Sequence, residues 1–353
     1  MINIGLIGCG VVSKRYSDVF QNESIQNGKV IAVCDINEKL SIERSSELGA
    51  NNYVNIHEMF AKENLDLVFI LTISGLHYEH AKLALEHGIH TVVEKPLALQ
   101  ISDAENLKKI ANNKDLLLGV VFQNRFNNAI KYVKSLVDKN ILGKRVLTTF
   151  RLRWCRVQEY YENTWHGNWD LDGGVIAQQA IHHMDIFQWL GGEIESVSGT
   201  FTQRINNLEA DDTTVGIVKF MDNSLGALEA TTAARPIDYE ASFSIVAEKG
   251  MVEIGGIALN KIIKLNLVDF NGDLESIIRE NSQEFKDGFG ISHGPYIQAV
   301  IDNLMDEIIE APVNADESMK SLKLVHAIYT SSNEKRWVSM NENAAYEPLG
   351  KKS

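Results

Sequence analysis

The sequence predicts an α/β fold: a doubly wound parallel sheet over residues 1–122, then over residues 123–353 a second α/β domain built on a large open, mostly antiparallel sheet. Three observations carry this reading. The glycine turn Gly8-Cys9-Gly10 separates an apolar run from a helical pattern, and a second apolar run ends at Asp35. The run Leu67-Val68-Phe69-Ile70-Leu71-Thr72 is apolar at successive positions, as a parallel strand covered on both faces requires. Beyond residue 122, short strand-like segments follow one another across tight turns. A chain of 353 residues also exceeds what one compact core usually holds, so two domains are expected.

Taken in order, residues 2–8 form a strand, 12–21 a helix and 30–34 a second strand, a βαβ unit of the usual size. Residues 67–72 give a further strand. A helix over 77–86 stops at Gly88, and 91–93 form the next strand. Ser102 with Glu105 three residues on reads as a capping box opening a helix that runs to about residue 112. Residues 116–122 form the last strand of this domain. A helix at 129–138 leads into strands at 146–154, 197–203, 213–220, 224–232, 242–247 and 251–254, with Met221-Asp222-Asn223 and Glu248-Lys249-Gly250 as hairpin turns. Between them, a helical reading of residues 172–190 puts Gln178, His182, Asp185 and Trp189 on one face. Such a stripe suits the wall of a polar cleft better than a core. The last residues, 350–353, are expected to fray.

Composition narrows the function. With 47 acidic against 34 basic residues the chain carries a net charge of -13, which opposes broad contact with a polyphosphate backbone, so no nucleic-acid partner is expected. Cys9, Cys34 and Cys155 lack paired spacing and read as buried small hydrophobes or free thiols of a reducing compartment. The amino terminus shows neither basic leader nor cleavage site, and no apolar stretch reaches membrane-spanning length. A cytoplasmic protein without a membrane partner is the expectation.

The glycine turn points to a dinucleotide. Gly8 permits the sharp exit from the first strand, and Gly10 lets backbone N–H groups approach a pyrophosphate at the amino terminus of the next helix. Ser13 stands where a third Gly or Ala is usual. Asp35, at the end of the second strand, is placed to accept hydrogen bonds from the adenosine ribose and would repel a 2′-phosphate, which selects NAD over NADP; its alternative is a cap on the turn before Asn37. The loops at the carboxyl ends of the strands supply the cofactor-binding set: Gly8, Gly10, Val11 and Val12, Asp35 and Ile36, Thr72, Ser74 and His77, Glu94 and Lys95, and Gln123.

The glycine turn, Glu94-Lys95-Pro96, and Gly173-Gly174 running through His182 to Asp185 together resemble the Gfo/Idh/MocA oxidoreductase family. The resemblance covers essentially the whole chain, including Ser292-His293-Gly294 and residues 327–332. It implies a Rossmann domain followed by an α/β domain whose open sheet supports homodimers or homotetramers. Many members carry Asp four residues before the histidine, where this chain has Gln178. The run Gln178-Gln179-Ala180-Ile181-His182, with Gln158-Glu159-Tyr160-Tyr161 and Trp165-His166-Gly167-Asn168-Trp169, instead resembles the family's sugar-nucleotide branch, whose members oxidise UDP-linked N-acetylglucosaminuronate.

Oxidising a secondary alcohol requires a base for the hydroxyl proton while hydride leaves the same carbon for nicotinamide. His182 is the candidate base, since imidazole titrates nearest neutrality. Lys95 is the candidate cation that stabilises alkoxide character. The two roles can be exchanged on sequence grounds. Asp185 either fixes an imidazole tautomer or serves structure, and Pro96, with a cis bond as in relatives, would set the approach of Lys95. Arg125, Arg153, Tyr160, Gln178 and Gln179 complete the substrate-binding set with Lys95 and His182, Arg125 as a bidentate partner for a carboxylate or phosphate. His166, His182, His183 and His293 lack a compact zinc spacing, and no metal is expected. The leading function is NAD-dependent oxidation of the 3-hydroxyl of a UDP-linked N-acetylhexosamine or its uronic acid for surface-polysaccharide synthesis. The alternatives are an inositol or free-sugar dehydrogenase and a noncatalytic sugar or nucleotide sensor.

Overall fold

A computed structural model describes residues 1–23, 25–285 and 290–351. The chain divides into two compact units, Met1–Phe122 with Ile291–Met319, and Gln123–Gly290 with Lys320–Ser353, the terminal residues 352 and 353 lying outside the described set. In chain order the first unit holds β1 Ile2–Ile7, α1 Val11–Asn22, β2 Gly28–Cys34, α2 Glu38–Leu48, β3 Asn51–Tyr53, α3 Ile56–Lys62, β4 Leu67–Ile70, α4 His77–Glu86, β5 His90–Val93, α5 Ile101–Asn113 and β6 Leu118–Val120. There follow α6 Asn128–Asp138, β7 Arg145–Arg153, α7 Ile181–Gly191, β8 Ile194–Thr202, β9 Thr213–Phe220, β10 Leu225–Thr231, β11 Glu240–Ala247, β12 Gly250–Gly255, β13 Lys261–Leu267, α8 Leu274–Asn281, α9 His293–Met305, α10 Ala315–Glu334 and β14 Val338–Ser339.

The first unit's sheet has the strand order β3-β2-β1-β4-β5-β6, parallel throughout, as the doubly wound reading requires. The chain reverses direction of progress at β1 and β4, so the exits of β1, β2, β4 and β5 gather at one end of the sheet. β4 is buried along its whole length, which explains its unbroken apolar sequence. Asn37 caps α2 by accepting from the Lys39 N–H, and Gly49 ends that helix in the left-handed conformation. The expected cap at Ser102 is displaced: α5 begins at Ile101, whose side chain is buried, and Gln100 stands at the cap two residues earlier, with no side-chain capping bond to the helix. β3 lay outside the sequence reading because three residues, none of them buried, leave no periodic signal.

Residues 291–319, assigned from the sequence to the second domain, belong to the first unit. Tyr296, Ile297, Val300 and Ile301 of α9 are fully buried, and Val120 donates to the Val313 carbonyl. Burial of one helix face overrides position in the chain here.

The second unit is an eight-stranded sheet in the order β13-β12-β11-β7-β10-β9-β8-β14, with β7 and β10 its parallel pair among otherwise antiparallel neighbours. One face packs under α7 through Phe150, Phe187 and Phe220. Alternation turns the opposite set, including Leu147, Ile217 and Leu225, outward. The helix expected over residues 172–190 starts only at Ile181. Gly173 sits at φ +81°, and successive turn bonds, Ala177 to Gly174 and Ala180 to Val175, hold residues 172–180 as turns. Gln178 therefore precedes the helix that carries His182.

Candidate active site

In the first unit the glycine turn is forced by space. Gly8 has φ +100°, and a Cβ there would lie 2.7 Å from the carbonyl carbon and oxygen of Leu71. Gly10 faces open space instead: nothing stands within 4 Å of where its Cβ would be. α1 then begins with neither a side-chain cap nor an acid in its first turn, so its N–H groups are directed at whatever occupies that space. Val11 and Val12 start the helix, Val11 exposed and Val12 half-buried. Ser13, at the third glycine position, is buried, and its hydroxyl donates to the Gly10 carbonyl at 2.6 Å. Arg44, buried in α2, donates to that hydroxyl at 3.1 Å and was not anticipated from sequence. A free acceptor space above Gly10 and an uncapped helix terminus fit a dinucleotide pyrophosphate.

Asp35 fills the turn-capping role that the sequence offered as its alternative. Its carboxylate accepts from the N–H of Cys9 at 2.7 Å and from that of Asn37 at 2.8 Å, so it ties the glycine turn to the end of β2. Two bonds leave a carboxylate with accepting capacity for ribose hydroxyls. Ile36 stands beside it, 93% exposed. Burial pushes the Cys9 thiol up to about 12 and that of Cys34 to about 11, so both remain protonated.

Around Lys95 the cis bond expected at Pro96 is present, and the neighbouring side chains are engaged within the protein. The Lys95–Pro96 bond is cis, and Lys95 is half-buried at the exit of β5. Glu94 turns its carboxylate inward, accepting from the Tyr16 hydroxyl at 3.0 Å and standing 3.8 Å from His293 Nε2. Burial alone would raise this acid; the bond and charge of His293, the Lys95 charge and the Tyr16 bond outweigh it and hold the carboxyl below its usual range. The Glu94 side chain is thus a support for the loop that carries Lys95. His77 is engaged likewise: Nδ1 lies 2.7 Å from the Pro96 carbonyl and Nε2 2.9 Å from that of Thr72, so neither ring nitrogen is turned toward a cofactor. Thr72 and buried Ser74 remain on the loop leaving β4, with the Thr72 hydroxyl 3.1 Å from His80 Nδ1.

In the second unit, Gln123 opens a short 3-10 turn, and its buried Oε1 has no protein partner among the described residues, as a group awaiting a ligand would. Arg125 departs from the sequence reading. Its Nε and Nη2 fork onto Asp185 Oδ2 and Oδ1 at 2.8 and 2.7 Å, and the guanidinium lies 4.6 Å over the Trp189 ring. The bidentate edge expected for substrate is occupied by Asp185. Arg153 is engaged within its own sheet. It sits on the outer face of β7, donating to Glu229 at 2.5 Å and to Glu240, its cross-strand neighbour, at 3.1 Å.

Tyr160, Gln179 and His166 are brought together. The Tyr160 ring stacks on His166 with centroids 4.1 Å apart, and Gln179 Nε2 approaches the phenol oxygen at 3.5 Å. Arg156 lies 5.7 Å over the same ring. Burial is the main reason the Tyr160 phenol is held above its ordinary range, so it acts as a neutral donor or acceptor. Gln178 and Gln179 are buried in the turns before α7, and His182 is half-buried in that helix's first turn. His183, one residue on, points elsewhere, packing on Phe150 and Trp154; burial lowers it to about 3, so it is neutral. Among the described residues no three His, Cys, Asp or Glu side chains are grouped as metal ligands would be.

Residues 2–122 match a family described as oxidoreductase family, NAD-binding Rossmann fold, and residues 134–340 match the same family's C-terminal alpha/beta domain. The inositol 2-dehydrogenase/D-chiro-inositol 3-dehydrogenase of Halalkalibacterium halodurans is 23% identical over 371 residues, spanning 100% of this chain and 98% of its own. The WlbA dehydrogenase of Bordetella pertussis, solved with NADH and UDP-GlcNAcA, superimposes with a TM-score of 0.90 at 31% identity, covering 96% of this chain and 97% of that one. The WlbA dehydrogenase of Chromobacterium violaceum, in complex with the same two molecules, gives 0.89 at 30% identity over 96% and 95%.

Proposed function

This chain belongs to the Gfo/Idh/MocA oxidoreductase family, and we propose that within it the protein oxidises the 3-hydroxyl of a UDP-linked N-acetylhexosamine or its uronic acid. NAD is its cofactor, and the turn at Gly8 and Gly10, the open start of α1 and Asp35 are the groups of this chain that fit it. The observation that carries the substrate class is the 30–31% identity to two WlbA dehydrogenases over 96% of the chain, which exceeds the 23% shared with the inositol enzyme. Two features of the chain agree with it: Gln178 stands in place of an acid, and Tyr160, His166 and Gln179 form an aromatic and amide cluster of the kind that receives a sugar or base.

Bound NAD supplies the acceptor for the hydride that leaves the carbinol carbon. The chain's part is to manage the proton and the charge. His182 takes the hydroxyl proton as the hydride departs, leaving a 3-keto sugar and an imidazolium that returns its proton to water. Lys95 donates a hydrogen bond to the developing alkoxide. The exchanged assignment, with Lys95 as base, has the same balance and is separated by the pH dependence of each variant. No helix among the described residues is long and apolar enough to cross a membrane. We further propose a cytoplasmic location and self-association as a homodimer or homotetramer through the outward face of the second unit's sheet.

The test is reduction of NAD by purified protein with UDP-N-acetylglucosaminuronate, UDP-N-acetylglucosamine and myo-inositol in parallel. Reduced cofactor with a UDP sugar alone supports the reading. A signal with inositol alone moves the protein to the inositol dehydrogenases, and sugar binding without reduction would make it a sensor.

A further inference from the structure

We propose that His77 is a positioning residue for Lys95, tying the turn after β5 to the loop after β4; this deepens the catalytic reading of Lys95 and rests on it. His77 is the first residue of α4 and is 1% exposed. Its Nδ1 reaches the carbonyl of Pro96, the residue after Lys95, at 2.7 Å, and its Nε2 reaches the Thr72 carbonyl at 2.9 Å. Thr72 and Leu71 are in turn the backbone against which Gly8 packs too closely for any side chain. One imidazole therefore completes a continuous backbone path from the glycine turn, through the exit of β4, to the turn that carries Lys95. Glu94, on the other side of the lysine, is anchored separately by Tyr16 of α1 and by His293. Lys95 is held between two fixed neighbours, which suits a cation that must meet a reacting oxygen within a fraction of an ångström.

The ring cannot treat its two contacts alike. A neutral imidazole donates through one nitrogen, and only the imidazolium donates to both carbonyls. Burial works against the imidazolium and lowers the pKa, with the two carbonyls pulling it back. With the proton on Nδ1 the neutral ring donates to the Pro96 carbonyl, and this is the tautomer the proposal takes to hold the Lys95 turn. Side-chain geometry allows the two contacts to be removed separately. Asn at position 77 places its amide nitrogen near Nδ1, Gln places it near Nε2, and Leu provides neither.

The experiment compares His77→Asn, His77→Gln and His77→Leu in the full chain with two readouts. The first is the acetylation rate of Lys95 by sulfosuccinimidyl acetate at one fixed pH, followed by peptide mass spectrometry, which needs no sugar. The second is kcat with the sugar that reduces NAD, alongside the NAD Kd. His77→Gln and His77→Leu are expected to change the Lys95 acetylation rate by about threefold or more and to lower kcat by roughly 10- to 100-fold, with Kd within about threefold; His77→Asn stays near wild type in all three. Equal Lys95 reactivity in all variants, or a loss confined to Kd, overturns the proposal. If His77→Leu fails to fold, the Asn and Gln pair carries the comparison. Failure of every sugar to reduce NAD would count against the proposed substrate, and the acetylation series would still decide the role of His77.

Discussion

Replacing Lys95 by Met removes a cation while keeping an unbranched chain, so turnover is expected to fall by about a hundredfold or more with NAD affinity nearly unchanged. His182→Asn should cost a comparable factor, and wild-type rates in either variant would remove that residue from the mechanism. Asp35→Asn is expected to weaken NAD by roughly tenfold and to narrow its preference over NADP, because the charge that repels a 2′-phosphate is gone while one acceptor for Cys9 or Asn37 survives. Fluorescence titration with both cofactors checks it, and unchanged discrimination would contradict the assigned role. The turn at Gly8 and the places of Asp35 and Lys95 at the exits of β2 and β5 were legible in the sequence, because a local backbone demand or a strand end marks the position. Arg125 was not. Its partner Asp185 is 60 residues away, and no local pattern distinguishes a guanidinium that will meet substrate from one that will meet a carboxylate of its own unit. His77 shows the same limit at short range: a histidine after a strand reads equally as a cofactor contact or a backbone clamp.

Elements with strong periodicity were readable to within a residue or two, and those fixed by a tertiary contact were not. β9 matches its expected span of 213–220, and α4 matches 77–86, since alternation and a glycine stop define them. The start of α7 was placed too early because Gly173 at φ +81° and the packing of Gly174 against the Asp211 side chain are invisible in a helical wheel. Asp211 itself joins three elements: its carboxylate accepts from Tyr329 of α10 at 2.8 Å and from Thr214 of β9 at 2.6 Å, and it lies against the loop before α7. Burial raises this acid from 3.8 to about 6, with the two hydroxyl bonds opposing. The folded state therefore favours its neutral form. The stability it contributes is complete below about pH 4 and is lost as pH rises through about 6, a difference of ~3 kcal/mol. His183 runs the other way: burial lowers it to about 3, so its contribution is complete above the ordinary histidine range and is lost as pH falls below it. Urea midpoints between pH 4 and 7 are expected to show Asp211→Asn flattening the loss toward neutrality. An identical pH slope in wild type and variant would show that Asp211 ionises freely in the fold.

At the scale of the whole molecule, the parallel first sheet and the mostly antiparallel second sheet were both legible, since each leaves its own hydrophobic pattern. The return of residues 291–319 to the first unit was not, because an amphipathic helix announces that it will be buried but not against what. The outward face of the second sheet carries exposed Leu147, Val215, Ile217 and Leu225, apolar surface of the kind that protein contacts use. Ile217→Lys with Leu225→Lys is expected to shift sedimentation toward a smaller species, and an unchanged species would place self-association elsewhere. The most direct test of the central claim is reduced-nicotinamide absorbance after mixing protein and NAD with UDP-N-acetylglucosaminuronate or, separately, myo-inositol. Reduction by the UDP sugar, even for a single turnover, with none by inositol is the predicted result; reduction by inositol and none by the UDP sugar would contradict it.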